Sequence, residues 1–146
     1  AGELIAVGGG LRDLAAIDPE VRDTTLLVAP DAFSDFLDFN DFLELAEAAL
    51  EELDLEGILQ IAPFHPRFVF AGTRDDDITN YTNRTPYPTL HLIRETSIDR
   101  AVQSFPEAEA IFEVNMATME KLGPEGWAAL DVGATSNAGD CGKLKP

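Results

Sequence analysis

This sequence predicts an α+β fold: a single domain with a small three- or four-stranded sheet and helices packed on one face. Three observations lead there. Two short apolar runs, Thr24 to Ala29 and Ile58 to Phe64, read as strands. Between them, Phe36, Phe39, Leu43, Ala46, Leu50 and Leu53 recur at steps of three and four, the stripe of an amphipathic helix. A length of 146 residues, 45% hydrophobic and 25% charged, is one folded domain with a real core rather than a disordered chain.

Taken in order, Glu3 to Val7 is a short apolar run ending at Gly8-Gly9-Gly10, expected as a strand and turn. Leu11 to Ile17 is expected as a short helix closed by Asp18-Pro19. Thr24 to Ala29 is expected as a buried strand, stopped by Pro30, which suits a first helical position. The helix over Asp31 to Leu53 carries an outer face of one sign, since Asp31 to Glu56 holds ten acids and no base. Asn40-Asp41 offers a point where it could split, with Asn40 as a cap. Gly57 is the expected stop. Ile58 to Phe64 is a second buried strand, Arg67 to Ala71 a third short one, and Thr73 to Pro88 a long loop. Helices are expected over Thr89 to Phe105 and over Glu107 to Leu122. The second would turn Ala108, Ile111, Phe112, Met119 and Leu122 inward. The domain is thus drawn over 1–122, with a Gly- and Pro-rich tail over 123–146 anchored only by Trp127 and Leu130. The strand–helix–strand spacing allows either a parallel crossover or an antiparallel return.

Charge narrows the function classes. A net charge of −17 argues against nucleic acid and against anionic membrane surfaces, both of which need Lys and Arg. It is compatible with cationic partners, including a basic docking face on a larger protein assembly, and equally with acidity that only maintains solubility. No apolar run approaches a transmembrane length. Cys141 is the one cysteine, so an internal disulfide and a cysteine metal cluster are excluded.

The residues from Gly57 to Arg94 break the acidic pattern, with four arginines and three aspartates, while the rest of the chain has six basic and 24 acidic residues. Both histidines, His65 and His91, lie in this near-neutral part among Asn, Thr, Tyr and Pro. Polar clusters that core packing does not demand mark a site. The blocks Phe64-His65-Pro66, Ala71-Gly72-Thr73, Asn80 to Pro88, His91-Leu92 and Arg94-Glu95, with Asp35 to Phe42 upstream, resemble the domain-of-unknown-function 1415 family. The resemblance spans about Thr24 to Leu122. It implies an uncharacterised protein of bacteria or plastid-bearing eukaryotes, and brings no established activity. The Cys-Pro-Phe stretch that usually precedes this part in the family has no counterpart here.

The candidate ligand-binding residues are His65, Asn80, Tyr81, Asn83, Arg84, His91, Arg94 and Glu95. Arg84 and Arg94 suit a carboxylate or phosphate, with the amides and hydroxyls as neutral donors and a histidine orienting or deprotonating the ligand. The competing reading has the Asn and Thr side chains bracing loop backbone. His91 and Glu95, four apart on the expected helix, could share a metal with His65, against a plain surface pair. Gly8-Gly9-Gly10 lacks the rest of a phosphate loop. Asp75-Asp76-Asp77 reads as a calcium cluster or as a solvated turn. The sequence leaves the cofactor unknown. Two functions stay open: a domain with a small anionic-ligand pocket in residues 64–95, or a non-catalytic accessory subunit docked through its acidic face and tail. The compartment expected is a plastid or other organelle, or a bacterial-type cytoplasm.

Overall fold

A computed structural model of the chain describes residues 1–105 and 107–132. The expectations for Pro106, for Cys141 and for the tail from Gly133 to Pro146 lie outside the described residues. The elements run α1 (Gly2–Ala16), β1 (Thr24–Val28), α2 (Phe36–Glu52), β2 (Leu59–Phe64), a 3-10 helix (Ile78–Asn83), β3 (Thr89–Arg94), α3 (Glu95–Ser104) and α4 (Ala108–Ala129). The three strands form one antiparallel sheet in the order β1-β3-β2, so the fold is α+β. β1 and β2 both run against β3, hence parallel to each other with β3 between them. The spacing between the first two strands therefore makes a crossover whose gap a later strand fills.

Alternation on β3 decides the two faces of the sheet. Leu90, Leu92 and Arg94 point to one side, where they meet Leu59 and Ile61 of β2 and the apolar stripes of α1 and α2. Val7, Leu11 and Leu14 come from α1, and Phe39, Ala46 and Leu50 from α2. Each of these Val, Leu, Ile and Phe side chains taken out of water contributes about 1.5–3 kcal/mol. The other side carries His91 and Ile93 on β3 and the exposed Leu26 and Val28 on β1. Thus β1 is half-buried, where a fully buried strand is expected.

The N-terminal strand and turn are corrected: Gly2 to Ala16 is one helix, which contains all of Gly8-Gly9-Gly10. Val7, Leu11 and Leu14 recur at helical spacing, and a five-residue apolar run cannot by itself separate helix from strand. Gly10 permits the close approach of α1 to the sheet, since a Cβ there would stand 3.2 Å from Leu92 Cδ1 and 3.4 Å from Leu27 Cδ1.

The helix expected from Asp31 starts later, at Phe36. Asp35 caps it by accepting from the backbone N–H groups of Leu37 (2.8 Å) and Asp38 (3.3 Å). It then runs unbroken through Asn40-Asp41 to Glu52, and the stop comes at Leu53 and Asp54 (φ 54°), ahead of Gly57. Its acidic outer face, Asp38, Asp41, Glu44, Glu47, Glu51 and Glu52, is exposed.

Two further elements differ. Arg67 to Ala71 is irregular chain between two turns rather than a strand, and the sheet's third strand is Thr89 to Arg94, which begins the segment expected as helix. Thr89-Leu90-His91-Leu92-Ile93-Arg94 fits either period, and pairing on both sides selects the strand. Ile111 and Phe112, expected inward, are exposed, as are Val102, Phe105 and Val114. α4 continues beyond Leu122 to Ala129 through a kink at Gly123 (φ 65°) and Pro124. Its end rests on the 3-10 helix, with Trp127 edge-on to Tyr81 at 5.2 Å between ring centroids.

Candidate functional site

The loop from His65 to Pro88 follows β2 and is held by side-chain bonds to backbone. His65 is fully buried. Its Nε2–H donates to the carbonyl of Phe33 (2.8 Å), and its Nδ1 accepts from the N–H of Arg67 (2.9 Å). Both ring nitrogens are therefore engaged, in the neutral tautomer. Burial pushes the His65 pKa down, the Phe33 carbonyl opposes this, and the Arg67 and Arg84 charges add to it against Asp35. The imidazole packs between Phe36 (5.3 Å) and Phe39 (5.1 Å).

Asn80 is fully buried. Its Oδ1 accepts from the Phe70 N–H (2.9 Å) and the Thr73 hydroxyl (2.8 Å), while its Nδ2 donates to the carbonyl of Arg74 (2.7 Å). Asn83 Nδ2 donates to the Pro63 carbonyl (3.1 Å), and its own carbonyl accepts from the His65 N–H (3.2 Å). Arg84 lies over the Tyr81 ring, 4.0 Å from its centroid, so Tyr81 is held between Arg84 and Trp127. Arg84 Nε donates to the Phe68 carbonyl (3.2 Å) and one terminal nitrogen to the Asp75 carbonyl (2.8 Å).

Arg84, so held, lines a cavity of about 350 Å³ together with Asp35, Phe36, Leu37, Arg67, Val69 and Asp75. Among the described residues, neither arginine forms an ion pair with Asp35 or Asp75, and the Arg67 guanidinium has no hydrogen-bond partner. Of the eight candidate residues Arg84 alone lines this cavity; His65, Asn80, Tyr81 and Asn83 hold the loop that forms its wall. Sequence reading passed over Arg67 and Asp35, and weighed Asp75 only as part of a calcium cluster or solvated turn. The signals were there: Arg67 lies two residues after His65, and Asp35 opens the apolar stripe of α2. Asp75 belongs to the Asp triplet, whose other members are engaged elsewhere. Asp76 pairs with Arg74, and Asp77 caps the 3-10 helix by accepting from the Thr79 N–H and hydroxyl, which pull its pKa down.

The remaining candidates stand apart. Arg94, 6% exposed, donates to the carbonyls of Leu14 (2.7 Å), Ile17 (2.8 Å) and Arg22 (3.0 Å), tying the end of α1 to β3. His91 sits on the sheet face away from α1 and α2. There its Nε2–H donates to the Thr24 hydroxyl, which in turn donates to the Leu92 carbonyl (2.7 Å). Burial lowers its pKa. Glu95 is the first residue of α3, so it does not share a helix with His91, and its N–H donates to the Ile58 carbonyl (3.0 Å). With His65 on the core side, the set of His65, His91 and Glu95 considered for a metal is not assembled. Among the described residues no three His, Cys, Asp or Glu side chains gather to hold an ion. A second cavity, of about 500 Å³, lies between α1, β1 and the segment to Phe33 and is mostly apolar.

Fold and loop together define an α+β domain whose polar loop folds back on the start of a helix to wall a charged cavity. The chain belongs to the family described as protein of unknown function DUF1415, whose model matches residues 5–129. That span covers every element from β1 to α4, and α1 from Ile5 onward. No curated protein and no solved structure matches the chain. No helix among the described residues is long and apolar enough to cross a membrane.

Proposed function

We propose that the protein binds a small anionic ligand in the cavity between the start of α2 and the loop walled by Arg67 and Arg84. The observation that supports this most is the pair of arginines. In a chain of net charge −17, two guanidiniums share one cavity and form no ion pair among the described residues. A guanidinium fork suits a carboxylate or phosphate. Arg84 is pre-oriented by its bonds to Phe68 and Asp75, which lowers the ordering cost of binding. In this reading Arg84 contacts the ligand, and His65, Asn80, Tyr81 and Asn83 position Arg84. His91, Arg94 and Glu95 take structural roles. Small carboxylates and inorganic phosphate should raise the thermal unfolding midpoint of the chain, and Arg67→Ala should abolish the rise. An unchanged rise in that variant would remove the proposal.

A second reading is favoured by a different observation: Val102 on α3, Phe105 at its C-terminal cap, and Ile111, Phe112 and Val114 on α4 are exposed. Such a patch suits an accessory subunit docked on a larger assembly, with the acidic face of α2 meeting a basic rim, in an organelle such as a plastid. Replacing Phe105 and Phe112 by Ser should release the subunit from its native assembly without loss of fold. Retention of both variants in the assembly would count against docking through this patch.

A further inference from the structure

We infer that the ligand of the Arg67–Arg84 cavity is a zwitterion of the α-amino-acid type with an apolar side chain; this rests on the anion-binding reading and narrows it. The cavity is not simply basic. Its charged lining consists of Arg67 and Arg84 together with Asp35 and Asp75. These opposite charges share one space, yet among the described residues no Arg–Asp pair within it comes within ion-pair distance.

A plain anion seated there would gain from the arginines and lose to the aspartates, within a chain that is already strongly negative. A plain cation would meet the reverse balance at the arginines. A molecule bearing one carboxylate and one ammonium group satisfies both sets, leaving neither charge of the ligand facing only its own sign.

The aspartates have acceptor capacity for an ammonium. Asp35 uses Oδ1 for the amides of Leu37 and Asp38, and its Oδ2 has no hydrogen-bond partner among the described residues. Asp75 bonds Arg84 through its backbone carbonyl, so its carboxylate is uncommitted. The arginines match on the other side, since Arg84 engages Nε and one terminal nitrogen and keeps the second free. The rest of the wall is hydrocarbon, from Phe36, Leu37 and Val69, which a short aliphatic or aromatic side chain would cover. A volume of about 350 Å³ is near the lower end of the range for small-ligand sites.

The test uses three probes of one carbon skeleton: L-leucine, 4-methylpentanoate, which lacks the ammonium, and 3-methylbutylamine, which lacks the carboxylate. Calorimetric titration into the full chain should show leucine binding at least tenfold tighter than either analogue. Asp75→Asn should weaken leucine and strengthen 4-methylpentanoate, while Arg67→Ala should weaken both. Arg67 bonds the fold through its backbone alone, so that variant should unfold at the wild-type midpoint. If 4-methylpentanoate binds as tightly as leucine, the zwitterion assignment is overturned and the anion-binding reading stands. If the amine alone matches leucine, or if neither the three probes nor inorganic phosphate binds, both readings fall; if phosphate binds and none of the three does, the zwitterion assignment alone falls.

Discussion

The buried ring of His65 donates its Nε2 hydrogen to the carbonyl of Phe33, a residue 32 positions earlier whose backbone is left-handed at φ 58°. A non-glycine residue in that region costs about 1–3 kcal/mol and persists where its surroundings enforce it. Here the His65 bond enforces it, helped by the stacking of Phe33 on Phe42 at 4.3 Å. One histidine thereby joins the end of β2 to the segment that leads into α2, and sets where Asp35 and Phe36 meet the loop. His65→Ala should destabilise the chain by about 2–4 kcal/mol, through two lost hydrogen bonds and the space left between Phe36 and Phe39. Urea unfolding measures it, and a loss under about 1 kcal/mol would contradict the linchpin role.

The same bond makes stability pH-dependent with a definite sign. Burial lowers the folded pKa of His65 below the ordinary 6.5, so in the window between the two values the unfolded chain binds more protons. Its contribution is therefore full above about pH 6.5 and is lost as pH falls through the folded value. His91, lowered by burial as well, acts in the same direction. Urea midpoints taken at pH 7.5 and near pH 5 should drop toward the acid side, and the drop should shrink in His65→Gln and again when His91→Gln is added.

Arg94 works as a brace for α1. Its guanidinium meets the carbonyls at the end of that helix, which have no partners of their own beyond the last turn. Arg94→Lys keeps the charge but cannot reach Leu14, Ile17 and Arg22 together, so a cost of about 1–3 kcal/mol is expected. Hydrogen exchange should locate the loss in α1 and the Ile17 to Arg22 segment. Uniform destabilisation of the whole chain would speak against a local brace.

Neighbouring glycines of α1 should respond with opposite signs. A Cβ on Gly9 meets nothing within 4 Å, so Gly9→Ala should stabilise by about 0.5–1 kcal/mol through helix propensity alone. Gly10 is packed on Leu27 and Leu92, and Gly10→Val should destabilise by about 1–3 kcal/mol by forcing α1 off the sheet. Thermal midpoints of the two variants compare them directly.

Asn80 offers a test of the loop apart from the ligand. Asn80→Ala leaves the Phe70 N–H and the Arg74 carbonyl without their side-chain partner inside the fold. A loss of about 2–3 kcal/mol is expected, together with faster proteolysis between Val69 and Arg84. Wild-type protease resistance in the variant would show that Tyr81, Arg84 and Trp127 suffice to hold the loop.

Local pattern alone determined α2, the strands β1 and β2, the acidic outer face and the departure of residues 64–95 from the chain's general character. Each of these is written in neighbouring residues: an apolar stripe at helical spacing, a β-branched run, a change in charge balance. Tertiary structure decided the rest. Thr89 to Arg94 carries a pattern that either period accommodates, and it is a strand because β1 and β2 present hydrogen-bonding edges on both sides of it. Gly2 to Ala16 is a helix because Val7, Leu11 and Leu14 find the sheet beneath them. The cavity was the least legible feature, since Arg67 and Arg84 meet Asp35 across some thirty to fifty positions of chain. Convergence of side chains is set by how elements pack, and packing joins residues that sequence keeps far apart.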